Sequence, residues 1–263
     1  MNLKTFYDKH LNFSKRTEID YFISPGIKSK FDLIIAHLKN VKKFNTGIDL
    51  GCSGDSILSF INNVTYKCFL DIASEPLNQF TINHKHCNAK LNKENQFPIC
   101  GDIQQLPYRD DLFEVVFALD VLEHVKNDES CISEISRILK KYGYAIVSIP
   151  HRKKFYTTQD KLIGHYRRYE IDEIKELFLN FSLKCIVYFG IYGILMKTSL
   201  LQAIKPDFIV DKIQKLRLKY LSGSKFRIFW NLIVYLLSKI MIIDAKYTPK
   251  RSIMNMAFIF RKI

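Results

Sequence analysis

The sequence predicts an α/β fold, doubly wound about a mostly parallel sheet, and three observations carry that expectation. Short apolar runs at 46–50, 66–71, 97–101, 113–118 and 143–149 alternate with stretches of helical character, the pattern of a parallel sheet covered on both faces. The first run ends in a glycine turn, Leu50-Gly51-Cys52-Ser53-Gly54-Asp55, and opens into Ser56-Ile57-Leu58-Ser59-Phe60-Ile61. Polar residues then stand where the next runs end: Asp71, Gly101-Asp102, and Leu119-Asp120-Val121-Leu122-Glu123-His124. Open α/β sheets bind ligands at the carboxyl ends of their strands, where strand order reverses. Separate local readings therefore converge on one edge of the sheet.

The elements follow in order. Residues 2–22 are mixed and aromatic, and are read as one or two helices lying over the crevice. Pro25-Gly26 marks a turn. Residues 28–40 repeat Phe31, Ile34, Ile35 and Leu38 at helical spacing. After the strand at 46–50, helices are expected near 55–63, 75–82 and 130–141. Past Pro150 a helix at 171–180 and a sixth strand at 183–189 are expected, with one more strand at 254–261. Between these last two strands lies a stretch of about sixty residues, too long for an ordinary connection. The expected organisation is N-terminal helices at 1–45, a core at 46–190, a basic and apolar helical insertion at 191–253, and a final core strand at 254–263.

Composition narrows the classes. A chain of 263 residues, 48% of them apolar, can bury one substantial core. Its six cysteines form no CxxC pair, and Met1-Asn2-Leu3-Lys4-Thr5-Phe6 is too polar for a secretory signal. A reducing cytoplasm is the expected location. The net charge of +14 is unevenly placed: residues 1–150 hold 18 basic and 18 acidic side chains, whereas residues 151–263 hold 22 and 8. All the excess thus lies in the C-terminal part, which favours an anionic partner such as a phospholipid surface, a phosphorylated substrate or nucleic acid. Residues 208–221 read as a basic amphipathic helix. Residues 226–243 are mostly apolar but interrupted by Arg227, Asn231 and Lys239, which leaves the clean apolar run short of the ~20 residues that a span needs. Peripheral docking on the inner face of a membrane, with Trp230 at the interface, is one expectation. A helical cap on the domain or a dimer interface is the other.

The glycine turn and the acids after it resemble the class I S-adenosylmethionine-dependent methyltransferases, specifically the type 11 subgroup, over roughly residues 44–150. Gly164-His165-Tyr166-Arg167-Arg168-Tyr169 also resembles a segment that follows the fifth strand in one branch of that subgroup. The resemblance implies a Rossmann-like, seven-stranded sheet whose last strand is antiparallel, and S-adenosyl-L-methionine as cofactor. It implies that Asp49 supports the glycine turn and faces the amino-acid end of the cofactor. Gly51, Ser53 and Gly54 would bring backbone close to it, Asp71 and Ile72 would meet the ribose, Asp102 and Ile103 the adenine, and Leu119 would flank the ring. Ser53 and Asp55 depart from the usual glycines. Methyl transfer from a sulfonium is an in-line displacement that mainly requires alignment and exclusion of water, so few catalytic groups are expected. His151 and His124 are the candidate bases. His165, Tyr166, Arg167, Arg168 and Tyr169 suit an anionic or glycan-like acceptor.

The resulting expectation is methyl transfer to a small-molecule or to a lipid- or glycan-linked acceptor. A nicotinamide-dependent oxidoreductase would want Gly-x-Gly-x-x-Gly after the first strand, where this chain has only Gly51 and Gly54. An RNA or other nucleic-acid methyltransferase would suit the basic half. However, base-directed amino methylation favours an Asn/Asp-Pro-Pro-aromatic run where Leu119-Asp120-Val121-Leu122 stands. A non-catalytic module that binds S-adenosylmethionine is the remaining alternative. No metal is expected: His84, His86 and Cys87, with Cys100, fit no usual zinc spacing.

Overall fold

The computed structural model describes residues 16–38, 43–81, 95–195 and 206–263. The described chain enters through α1 (Ile19–Ile23) and α2 (Pro25–Leu38). It continues through β1 (Phe44–Leu50), β2 (Val64–Asp71), α3 (Asn78–Thr81), β3 (Gln96–Cys100), β4 (Phe113–Leu119), α4 (Asp128–Ile138) and β5 (Leu139–Pro150). Then come α5 (Thr158–Leu162), α6 (Ile171–Leu179), β6 (Leu183–Tyr192), α7 (Pro206–Ser222), α8 (Ser224–Tyr247) and β7 (Asn255–Lys262).

The strands form one sheet in the order β3-β2-β1-β4-β5-β7-β6. Pairing is parallel except at β7, which runs antiparallel between β5 and β6. The order reverses between β1 and β4, so the crevice opens there, at the strands' carboxyl ends. Period-two alternation divides the core. Val115 and Phe117 of β4 share a buried cluster with Phe31 and Ile34 of α2 and with Ile57 and Leu58. Val116 and Ala118, pointing the other way, cluster with Ile132 and Ile135 of α4 and Phe178 of α6. Helix α4 shows why such segments fold locally. The Asn127 side chain accepts from the Ser130 N–H, Asp128 and Glu129 sit in the first turn, and Cys131, Ile132, Ile135 and Ile138 form the buried stripe.

Three elements differ from the sequence expectation, each for a visible reason. The helix expected over 55–63 is a single 3-10 turn, Ile57–Phe60. Lys67 of β2 donates to the carbonyls of Leu58 and Ile61, both at 2.7 Å, and so satisfies groups that a longer helix would have used. Pro25-Gly26, expected as a turn, is instead the start of α2, where the missing N–H of Pro25 costs nothing. β5 begins at Leu139, directly after α4, and takes up a register shift against β4 that the helix expected to 141 leaves no room for.

The insertion lies against the N-terminal helices. Arg217 of α7 donates through Nε and Nη2 to the two carboxylate oxygens of Asp20, at 2.9 and 2.7 Å. Trp230 Nε1 donates to the Ile23 carbonyl at 3.2 Å. α8 packs along α2 and β6 through its buried Val234, Ser238 and Ala245.

Phe258, fully buried in β7 and stacked on Tyr188 and Phe260, tests this packing. Phe258→Ala should lower stability by about 3–5 kcal/mol, read as a shift of the urea midpoint at constant slope. A loss below about 1 kcal/mol would mean that β7 is not held between its neighbours as described.

Candidate functional site

A cavity of about 740 Å³ opens at the carboxyl ends of β1, β2 and β4 and is walled by α1, α2 and α7. Its floor is the turn after β1. Gly51 has φ +65°, and a Cβ there would stand 2.7 Å from Val121 Cγ2, so only glycine fits. The N–H groups of Gly51 and Cys52 both donate to the Leu70 carbonyl, which ties the turn to β2. Ser53 is also left-handed, at φ 47°. Its N–H donates to Asp71 Oδ2 at 2.9 Å, while the Ala73 N–H donates to Oδ1 at 2.9 Å. Asp71 thus shapes the loop it stands beside. Asp55 is buried near Arg16, 3.8 Å away.

Asp49 lies at the end of β1, buried, and accepts from Ser56 Oγ at 2.5 Å. Burial raises its carboxyl to about 7, although Ser56 and the charge of Lys30 pull the other way. Ile72, Asp102, Ile103 and Leu119 also line the cavity. Asp102 is exposed and accepts from the Gln104 N–H at 2.8 Å. Gly54 is not among the lining residues.

Asp120, just past β4, holds the centre. Its backbone is left-handed, at φ 56°, a conformation that Asp tolerates. Its carboxylate accepts from Lys30 Nζ of α2 at 2.7 Å, Ser148 Oγ of β5 at 2.7 Å and Asn255 Nδ2 of β7 at 3.2 Å. Burial alone would raise this carboxyl, but Lys30 and Ser148 more than offset it and leave it at about 2. Lys30 is a cavity residue that the sequence signals: with Ile27, Phe31 and Ile34 it falls on the apolar face of its helix, where an unpaired lysine would be costly.

The acceptor-side candidates divide. His165 and Arg168 line the cavity, and both bond Asp160: His165 Nδ1 at 2.9 Å and Arg168 Nε at 2.9 Å. Asp160 also accepts from the Thr157 N–H and hydroxyl. These donors more than offset its burial and hold it at about 2. Tyr166, Arg167 and Tyr169 are not at the cavity wall. Arg167 instead pairs with Asp128 at 2.6 Å and bonds the Lys126 carbonyl, and the Tyr169 hydroxyl donates to the same Asp128 at 2.8 Å. They pin the segment to the first turn of α4. His151 is also off the wall, buried, with Nδ1 3.0 Å from the Tyr169 carbonyl. His124 lines the cavity, but burial and the neighbouring His165 push it down to about 3, which makes it a weak proton acceptor. Beside it Glu123 is fully buried. Asp160 was given no role from the sequence, although its partners Thr157, His165 and Arg168 are local, and Glu123, named in the run after β4, was given none because it meets His165 only across separate loops. His84, His86 and Cys87 lie outside the described residues.

The raised Asp49 carboxyl makes stability depend on pH. An unfolded Asp titrates near ~3.9, and folded Asp49 near 7. Within that window the folded state keeps a proton that the unfolded state has released, so stability falls as pH rises and levels off above it. Asp49→Asn should remove this slope, so wild type should lose on the order of a few kcal/mol relative to the variant between pH ~4 and ~7. Parallel urea-midpoint profiles for the two proteins would mean that Asp49 is ionised throughout.

Comparison with known proteins agrees with this geometry. Residues 48–147 match the type 11 methyltransferase-domain family. An uncharacterized protein of Methanocaldococcus jannaschii is 27% identical over 190 residues, which cover 68% of this chain and 77% of that one. Among solved structures, phosphoethanolamine N-methyltransferase 2 of Haemonchus contortus, in complex with S-adenosyl-L-methionine, superposes with a TM-score of 0.65 at 15% identity, covering all of this chain and 60% of that one. The N-methyltransferase NodS of Bradyrhizobium japonicum, in complex with S-adenosyl-l-homocysteine, gives 0.61 at 10% identity over 100% and 99% of the two chains. The sheet order, the glycine turn at its switch point and the family match agree: residues 48–147 are a methyltransferase domain of the type 11 kind, set in a fold that S-adenosylmethionine-dependent methyltransferases share.

Proposed function

We propose that the chain seats S-adenosylmethionine across the ends of β1, β2 and β3 and methylates an acceptor that reaches the cavity beside His165 and Arg168, with the protein held on an anionic membrane surface. The observation that carries the cofactor site is the pairing of a left-handed Gly51, at φ +65° and without room for a Cβ, with Asp71 on the neighbouring strand. The donor set fits the cofactor. Asp71 offers a carboxylate to ribose hydroxyls, Ile103 and Leu119 offer apolar walls, and the ionised Asp120 favours a cationic ligand group nearby. The bound cofactor supplies a methyl carbon already activated by its positive sulfur. The protein's part is alignment and dryness: Lys30 fixes Asp120, Asp120 joins three strands to α2, and α7 walls the cavity. Arg168, rather than Arg167, is the guanidinium at the cavity wall, and an anionic acceptor would meet it there while Asp160 holds it in place.

Asp71→Ala should weaken S-adenosylmethionine binding by about 1–3 kcal/mol, roughly 5- to 150-fold, by calorimetry on a variant that melts as a folded protein. Unchanged affinity would remove Asp71 from the site, and NAD binding by the wild type would overturn the reading.

The membrane part rests on the outer face of α8. This helix is 24 residues long and apolar enough to span by length and composition, with a mean hydropathy of 1.7 over its best window. Yet its inner face is packed on the domain, which favours lying along a surface. Ile228, Phe229, Leu232, Leu236, Ile240 and Ile243 are each more than half exposed, and Lys225, Arg227, Lys239 and Lys246 accompany them. Such a stripe suits the boundary between headgroups and acyl chains, and each basic residue near an anionic surface adds about 1 kcal/mol, screened by salt. The intact protein should sediment with vesicles rich in phosphatidylserine, less so in high salt, and lose most binding in Ile228→Glu/Phe229→Glu/Leu236→Glu. A protein that stays in the supernatant at low salt would assign the stripe to another partner and leave the acceptor soluble.

A further inference from the structure

We propose that Glu123, His124 and His165 form a binding site for a first-row divalent metal ion, zinc foremost, with an open coordination position facing the cavity. One ligand atom from each of the three residues lies within 4.8 Å of the others, and all three residues line the cavity wall. Glu123 is fully buried, and among the described residues neither of its carboxylate oxygens has a hydrogen-bond donor. A buried polar group in that state is uncommon and points to a missing partner. His165 supplies the complementary half. Its Nδ1 lies 2.9 Å from Asp160 Oδ1, and a carboxylate already receiving Arg168 can only accept there. Nδ1 therefore carries the ring proton, and Nε2 turns a lone pair towards Glu123 Oε1, 3.9 Å away. With Glu123 ionised, two acceptors thus face each other, and among the described residues no donor lies between them. A cation resolves that arrangement.

Three further features fit. The Asp160–His165 contact is the carboxylate–imidazole pairing that orients metal-bound histidines and raises their basicity. The backbone joins the two halves: the Tyr166 N–H donates to the Glu123 carbonyl at 2.7 Å, and the His165 N–H to the Asp160 carbonyl at 2.8 Å. The charges leave a vacancy of one sign. Asp120 has Lys30 and Asp160 has Arg168, while among the described residues Glu123 has no lysine or arginine in contact. Two neutral imidazoles and one carboxylate form a donor set used by zinc and by other first-row ions, with room for a fourth ligand. Bonds of about 2.0–2.2 Å would draw the three atoms together by about an ångström.

The consequence for the reaction rests on the function proposed above. An acceptor hydroxyl at the open position would be acidified. As its oxygen–carbon bond forms, the sulfur–carbon bond breaks, the sulfonium leaves as a neutral thioether, and the hydroxyl proton passes to solvent.

Untagged protein stripped with a chelator and then titrated with zinc against a chromophoric competitor provides the test, with cobalt as a spectroscopic stand-in. One equivalent should bind, cobalt should give the visible absorption of a low-symmetry nitrogen–oxygen site, and Glu123→Gln and His165→Gln should each lower affinity 100-fold or more. Asp160→Asn, which keeps the ligands but weakens the orienting contact, should lower it about 10- to 100-fold. S-adenosylmethionine affinity and the thermal melt, measured without metal, should stay close to wild type in Glu123→Gln, which separates loss of the metal from loss of the cofactor site or of the fold. No stoichiometric binding by the wild type would overturn the proposal and make Glu123 a protonated acid hydrogen-bonded to His165. Binding that survives both ligand substitutions, or a sulfur-rich cobalt spectrum, would also overturn it.

Discussion

Most of what positions this site depends on one ion pair. Lys30 reaches from α2 to Asp120 at the end of β4, at 2.7 Å, and is itself only 8% exposed. Removing either partner of such a pair strands a charge in a low-dielectric interior. With both present, the carboxylate can also accept from Ser148 and Asn255, so one side chain joins a helix to three strands at the open edge of the sheet. The left-handed backbone of Asp120 is the strain that this junction sustains. The turn holding Val121 follows at once, and Val121 sets how close Gly51 must come. The cavity floor and its centre are therefore not independent.

Much of the fold was legible because its signals are local and periodic. Alternating runs gave the sheet, and residues at helical spacing gave α2 and α4. The turn at Gly51 was visible for the same reason: a backbone that approaches Val121 so closely needs glycine. The helix expected over 55–63 failed because its fate is set by Lys67, a β2 side chain that takes the carbonyls of Leu58 and Ile61. No property of residues 55–63 announces a donor arriving from another element.

The site shows the same division more sharply. Asp49, Gly51, Ser53, Asp71, Ile72, Asp102, Ile103 and Leu119 stand together at the cavity because each follows a strand, and strand ends share an edge. The loop at 164–169 could be recognised as dense in chemistry but not sorted. Arg167 and Arg168 are neighbours in sequence, yet one is taken by Asp128 and the other by Asp160. Glu123 and His165 come together only through pairing between separate loops. Lys30 was not singled out in the sequence, although a lysine among apolar helix positions implies a buried counter-charge.

The clamp between Arg217 and Asp20 has a thermodynamic consequence. It fastens α7, a wall of the cavity, to α1, and α7 belongs to the same insertion whose second helix turns an apolar face outward. Occupancy of the cavity and occupancy of that outer face thus share one mechanical element. If contact at the face changes the affinity of the cavity by some factor, ligand in the cavity changes the affinity of the face by the same factor. If the proposed surface docking is coupled to the cavity in this way, the enzyme would distribute between surface and solution according to whether it is loaded.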